Sequence, residues 1–292
     1  MPVFYLLIPE AMDGCTVRHA ALAGLRLSGG QFKKAKFHGR VLADGVPMLA
    51  DARLRAGQTL QLFVPEAERP APAPYALALT VPFEDEHFLM ADKPAPLASA
   101  SSPRQDGPSL ENAIFAHLGC PTPFVYRPVN RLDKGTSGLM LVAKTAYAQH
   151  LLQRQLHTAD FCREYLAVTE GRMPAGEGVV DLPIRKAAGA TVKREVGPGG
   201  KEARTFYRVL EEGEGRSLVL LRLDTGRTHQ IRVHLSALGC PVVGDFLYGN
   251  ETRELPGRFA LHSFRVSLRH PITGEWLLRE SPLPEELRRL LG

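Results

Sequence analysis

Apolar residues alternate with polar ones in some stretches of this chain and return at helical spacing in others, which predicts a protein of mixed α and β structure. The apolar start at residues 3–8 reads as a strand. Thr16 is placed to cap a helix in which Val17, Ala21 and Leu25 recur, with Ser28 and two glycines ending it, and a second helical segment starts at Gln31. Asp44-Gly45 between short apolar runs signals a hairpin, and residues 58–64 alternate as a strand does. Farther on, residues 139–143 form an unbroken apolar run bounded by turn residues and too short for a helix, the mark of a buried strand. Thr145 opens a helix reaching about Leu156, and residues 161–168 alternate with Arg163, Tyr165 and Ala167 on one face. A strand at 217–223 leads to a helix capped by Thr228, in which Ile231, Leu235 and Leu238 keep helical spacing and Gly239 supplies the stop. Residues 259–265 alternate once more, and a last helix after Pro284 offers Leu287, Leu290 and Leu291 for docking.

At 292 residues the chain exceeds most single cores, so a small and a large domain are expected. Pro65, Pro70, Pro72 and Pro74 interleaved with alanines form a stiff connector, which divides the chain into residues 1–66, a linker at 67–79, and residues 80–292. With 44% hydrophobic and 23% charged residues, bulk composition separates no function classes, whereas the formal net charge of +5 tilts toward a polyanionic partner. That excess gathers in two places. Lys33, Lys34, Lys36 and Arg40 surround the second helical segment, and residues 185–208 carry Lys193 and Arg194 among glycine-rich loops. Each is either a phosphate-contacting face or a merely solvated one. Cys15, Cys120, Cys162 and Cys240 are widely separated, which suggests neither a zinc ribbon nor a disulfide framework, and no segment has the length and apolarity to span a bilayer. A cytoplasmic protein is expected.

Chemistry gathers at residues 127–144, RPVNRLDKGTSGLMLVAK. Asp133 sits before a Gly-Thr-Ser-Gly turn that leads into the buried strand, as either an anchor for the turn or a reactive group. The glycines lack phosphate-loop spacing, and Ser137 lacks the context of a hydrolase elbow. What remains is Asp133 as the actor, with Arg131 or another cation favouring its charged form. His229 and Arg232 fall on a more polar side near the start of their helix. An arginine in a first turn opposes the helix dipole, which suggests that Arg232 is kept for a partner such as Asp133. His229 and His234 are set on different helix faces and make a poor metal pair, so no metal is expected.

Three motifs, RLDKGTSGLMLVAK, REYLAV around Tyr165, and DTGRTHQIRVHLSALGCPVVGDFLYG, resemble in content and order the RluA-type RNA pseudouridine synthases, over residues 83–282. Asn130 stands where that family commonly has histidine, and Pro96 where a glycine usually follows Lys-Pro-Ala; neither replaces a reacting group. Residues 15–65 resemble the small RNA-binding domain named after ribosomal protein S four. The resemblance implies an α+β fold, a mixed and mainly antiparallel sheet with flanking helices and a central cleft, plus a small α/β RNA-binding domain. It implies that Asp133 adds covalently to the target nucleoside, that Tyr165 stacks near the uracil, and that Arg232 pairs with the aspartate. Arg131, Thr136, Arg227, His229 and Gln230 are then placed at the substrate, and Lys33, Lys34, Lys36, Arg40, Lys193 and Arg194 on the RNA. The implied activity is isomerisation of uridine in ribosomal or transfer RNA by a monomer without a cofactor. The alternatives are a noncatalytic RNA-binding protein on the same fold and an aspartate-dependent nucleoside or glycoside hydrolase, for which no second carboxylate is suitably placed by sequence to act as the acid.

Overall fold

The computed structural model describes residues 3–65, 70–102, 107–156 and 158–292. The chain falls into two units, one of Met1–Ala71 with Pro123–Val125 and the other of Pro72–Thr122 with Tyr126–Gly292. Residues 66–69, where the expected first domain ends and the connector begins, lie outside the described residues.

In the smaller unit β1 (Val3–Leu7) leads to α1 (Val17–His19), which runs on into a wider turn at Ala20–Gly24. Thr16 caps α1 as expected, its hydroxyl accepting from the His19 amide at 3.2 Å. The next helix departs from expectation. α2 (Gly29–His38) starts two residues before Gln31, because Ser28 and Gln31 form a reciprocal capping box of 3.1 and 2.8 Å. The first helical stretch already ends at Gly24, so the two glycines do not close it but open the second helix; a strong cap outweighs their poor helix propensity. β2 (Arg40–Ala43), β3 (Val46–Pro47) and β4 (Thr59–Phe63) complete an antiparallel sheet of order β1-β4-β2-β3. Asp44 and Gly45 at the β2–β3 turn have φ of 48° and 81°, the left-handed pair that a tight hairpin needs.

The larger unit begins with residues 72–79 in irregular conformation, then β5 (Thr80–Glu84), β6 (Phe88–Lys93) and α3 (Leu110–His117), a helix that the apolar pattern alone had not suggested. β7 (Ser137–Ala143), α4 (Ala146–Gln155), β8 (Phe161–Glu170) and β9 (Glu177–Asp181) follow. Next come a hairpin of β10 (Ile184–Lys186) and β11 (Arg194–Val196), and the long strands β12 (Arg204–Glu212) and β13 (Arg216–Leu223). α5 (Gln230–Ala237), β14 (Leu261–Arg269), β15 (Trp276–Glu280) and α6 (Glu285–Arg288) end the chain.

Among the described residues nine strands form one sheet of order β5-β6-β7-β14-β8-β13-β12-β9, with β15 beside β14. Only the β7–β14 pair is parallel, so the sheet is mixed and mainly antiparallel. Every residue of β7 is buried, which is why its sequence runs apolar instead of alternating. Gly138 at its start has φ of 103°, and a Cβ there would lie 2.2 Å from the Ser263 carbonyl oxygen, so the close crossing of β7 and β14 requires glycine. The alternation expected along residues 259–265 breaks at a bulge between Ser263 and Arg265, which turns Arg265 to the face where it pairs with Glu164. Leu287, Leu290 and Leu291 are buried, each such side chain contributing about 1.5–3 kcal/mol through removal from water. No helix of the described residues is long and apolar enough to cross a membrane.

α5 is the exception to helical amphipathicity. Gln230 through Leu235 are all buried, so the helix lies inside the unit, against β11 and β12. Thr228 does not cap it: His229 occupies the cap position in a left-handed conformation and makes no side-chain cap. The side of α5 that reads as polar is buried too, and its polar groups find partners inside.

Candidate active site

Asp133 is presented by a loop that is pinned on both sides. The Ser99 hydroxyl donates to the Leu132 carbonyl at 2.6 Å and accepts from the Leu132 amide at 3.1 Å. Fully buried Lys93 donates from Nζ to the carbonyls of Leu97 at 2.7 Å, Pro94 at 3.0 Å and Lys134 at 3.4 Å. Burial, with Arg258 adding to it, pushes the Lys93 ammonium down to about 7 against the pull of Asp133 and Asp92. A Cβ at Gly135 would lie 2.6 Å from the Phe259 ring, so the glycine lets the turn after Asp133 close onto that ring.

The partner of Asp133 comes from α5. Arg232 donates from NH1 to Asp133 Oδ2 at 2.8 Å, and from Nε and NH2 to the two oxygens of Asp245 at 2.6 and 2.8 Å. The guanidinium also lies 4.1 Å from the Phe259 ring centroid and 5.0 Å from that of Tyr248. Asp245 is fully buried and further accepts from the Leu247 and Tyr248 amides at 3.0 and 3.2 Å. Burial works against the Arg232 charge, yet the Asp245 pair and then Asp133 outweigh it and raise its affinity for the proton. The fork geometry of arginine serves both carboxylates at once, one side held rigidly and the other reaching the exposed loop.

Asp133 is 30% exposed in its side chain and borders a cavity of about 900 Å³. Tyr165 on β8 walls the same cavity, joined by Arg131, Thr136, Arg163 and His229. A carboxylate at the edge of an open chamber, with its cation anchored from behind, is arranged to meet a substrate atom and not only to hold a turn.

Residues 87–237 match the family model described as RNA pseudouridylate synthase. The chain is 35% identical over 291 residues to the protein named uncharacterized RNA pseudouridine synthase YhcT of Bacillus subtilis, covering 98% of this chain and 95% of that one. It is 38% identical to ribosomal large subunit pseudouridine synthase D of Xanthomonas campestris, over 87% of this chain and 81% of the relative. Among solved structures, human RNA pseudouridylate synthase domain containing 1 matches with a TM-score of 0.57 and 28% identity, over 70% of this chain and 83% of that chain. The chain belongs to the RNA pseudouridine synthase family.

In this synthase, an isomerase acting on RNA, the expected catalytic trio of Asp133, Tyr165 and Arg232 lies around one cavity. Arg131, Thr136, Arg227, His229 and Gln230 border it as well. They differ in what remains available to a ligand. The Gln230 amide is fully committed: its oxygen accepts from the Thr225 hydroxyl and the Arg227 amide, and its nitrogen donates to the Arg204 carbonyl and the Thr205 hydroxyl. It braces the turn that carries Arg227 and His229. Arg227 itself is exposed, with Nε donating to the Glu202 carbonyl at 2.8 Å. Lys193 and Arg194 belong to the β10–β11 hairpin, where the neighbouring Val192 borders the cavity. Lys33, Lys34, Lys36 and Arg40 are exposed on the smaller unit, Arg40 lying 4.8 Å from the Phe63 ring centroid.

Four residues at the cavity or bonded to those that line it were not singled out by the sequence: Asp245, Tyr248, Arg163 and Lys93. The segment with Asp245 and Tyr248 reads only as turn-rich. The signal was Arg232 itself, since a guanidinium placed inside a helix offers more donors than one carboxylate satisfies, which calls for a second acid.

Proposed function

We propose that this synthase isomerises uridine to pseudouridine in structured RNA with Asp133 as its nucleophile toward the target nucleoside. The observation that carries this reading is the chain of contacts Asp245–Arg232–Asp133, a buried, doubly bonded guanidinium offering its remaining edge to one cavity-facing carboxylate. The reaction breaks the N1–C1′ bond, turns the detached uracil and joins C5 to C1′; C5 gives up its proton and N1 takes one up, so atoms balance without any co-reactant. Arg232 keeps Asp133 paired through these steps, and Tyr165 offers a ring face to the base and a hydroxyl near its C5 edge. The target nucleotide has to leave its stack, which costs a few kcal/mol. Arg131 at the cavity mouth holds the vacated place, and Lys193 and Arg194 on the hairpin meet neighbouring phosphates.

The smaller unit, with its Ser28-capped basic helix and tight hairpin, serves as an RNA-binding module of the kind named after ribosomal protein S four. Ribosomal RNA is the favoured substrate class, by analogy with the relative whose name specifies the large ribosomal subunit. Incubation with transcripts carrying tritium on uracil C5 tests the reading. Wild-type protein releases tritium to water, and Asp133→Asn releases none while still binding RNA. Equal release from both proteins would remove Asp133 from the chemistry, and binding without release by the wild type would make the chain a noncatalytic RNA-binding protein.

A further inference from the structure

His229 precedes α5 with φ of 58° and ψ of 19°, the left-handed region in which a residue other than glycine is strained. That backbone places its imidazole between Tyr248 and the cavity. Nδ1 lies 2.8 Å from the Tyr248 hydroxyl, and the same hydroxyl accepts a hydrogen bond from the Arg194 backbone amide at 2.8 Å. A phenol has one hydrogen to give. With the amide of Arg194 filling the acceptor role, that hydrogen is directed at Nδ1, and a neutral imidazole accepting there carries its own proton on Nε2. Nε2 faces Asp133 Oδ2 across 3.8 Å, too far for a hydrogen bond, and the ring borders the cavity.

We propose that His229 is a further catalytic residue of this synthase, its Nε2–H donating to a carbonyl oxygen of the uracil while the base is detached, with Tyr248 the positioning residue that fixes the tautomer. The inference rests on the cavity being the synthase site. When the N1–C1′ bond breaks, its electron pair leaves with the base and is shared by O2 and O4, so a fixed donor stabilises the separated state. The half-turn about the C6···N3 axis that exchanges N1 for C5 also exchanges O2 for O4. One donor therefore meets a carbonyl oxygen both before and after the turn, and keeps the free base from drifting. No proton is transferred to or from His229. Burial lowers the proton affinity of the imidazole, and Arg232 on α5 and Arg194 on β11 push the same way, while Asp133 from its loop and Asp245 from its turn oppose them.

The experiment joins single-turnover tritium release at saturating RNA to nitrogen NMR of the ¹⁵N-histidine-labelled full chain, with the His229 resonances assigned by their loss in His229→Gln. The wild type is expected to show a neutral His229 protonated on Nε2 at neutral pH. His229→Met, which removes the donor, is expected to slow release at least about thirtyfold with RNA affinity unchanged. His229→Gln sets an amide N–H near the position of Nε2 and is expected to recover most of that loss. Tyr248→Phe is expected to mix the two tautomers in the spectrum and to slow release several-fold. A wild-type His229 protonated on Nδ1, or charged at neutral pH, overturns the proposal whatever the variants do, and so does His229→Met turning over at the wild-type rate. Asp133→Asn, measured alongside, separates the two levels. Loss of release in Asp133→Asn with wild-type release in His229→Met removes only the role of His229, whereas release retained in Asp133→Asn removes the site reading beneath it.

Discussion

Two basic helices in this chain use positive charge in opposite ways. α2 exposes Lys33, Lys34 and Lys36 to water, where each charge is hydrated and screened within about 8–10 Å. α5 buries Arg232 to 3% exposure between two carboxylates and two aromatic rings. Hydrated lysines can attract a polyanion only by their sum, whereas what a buried arginine does depends on the angle at which its fork is held. Charge on α2 is therefore legible from composition, whereas charge on α5 has a meaning only after the chain has brought residues 133 and 245 to it.

Exchanging the shape of the buried cation while keeping its sign tests this contrast most severely. Arg232→Lys leaves a positive charge that cannot bridge Asp245 and Asp133 at once, and tritium release should fall at least about a hundredfold in kcat. The same exchange in the other direction on α2, Lys34→Arg, should leave release at the wild-type level. If Arg232→Lys retained full activity, charge alone would suffice on α5 and the two helices would work alike.

Removing the rear anchor comes next. Asp245→Ala takes a fully buried carboxylate from a buried guanidinium, which on general grounds costs about 3–5 kcal/mol. Urea unfolding should show that loss as a lower midpoint, and Asp245→Asn, which keeps an acceptor but not the charge, should fall between. Unchanged stability in Asp245→Ala would mean that Asp133 and the two rings are enough to hold Arg232.

Lys93 offers a third basic side chain, as buried as Arg232 but bonded only to carbonyls. Its proton affinity falls from the ordinary 10.5 to about 7 in the folded chain, so between these values the unfolded state binds more protons than the folded one. Stability conferred by this group therefore rises as pH climbs from 7 toward 10.5 and is lost as pH falls through 7. The unfolding free energy of the wild type relative to Lys93→Met should rise by up to about 1.4 kcal/mol per pH unit across that window. A flat difference would mean that the three carbonyls hold the ammonium charged despite its burial.

The sequence made some parts of this molecule legible because their causes are local. The hairpin at Asp44-Gly45 and the caps at Thr16 and Thr145 depend on residues within a few positions of one another, and the buried strand β7 announces itself by an unbroken apolar run. The site was legible in part. Asp133 and Arg232 stand out as residues ill suited to their surroundings, a carboxylate at the edge of the core and an arginine in a first helical turn. What stayed hidden is whatever depends on distant pairing. Asp245 looks like a turn residue until it is seen to hold Arg232, and Thr228 looks like a cap because nothing local says that His229 will take a left-handed conformation to reach Tyr248. The bulge in β14 is likewise set by its neighbour β8 and not by its own sequence.

The smallest expected effect belongs to the exposed helix, and it is one of slope more than of size. Each lysine that neutralises a phosphate releases condensed counterions, so affinity falls with salt in proportion to the number of such contacts. Changing Lys33, Lys34 and Lys36 together to alanine should make the plot of log affinity against log salt shallower by about 2 to 3, with the largest loss of binding at low salt and a narrowing gap as salt rises. Folding should be unaffected, since all three side chains already lie in water. Fluorescence anisotropy of a labelled RNA across a salt series reads the slope directly. An unchanged slope would make α2 a solvated surface with no part in RNA binding, and all of the electrostatic work would then pass to the β10–β11 hairpin, whose Lys193→Ala variant should in that case carry the larger change.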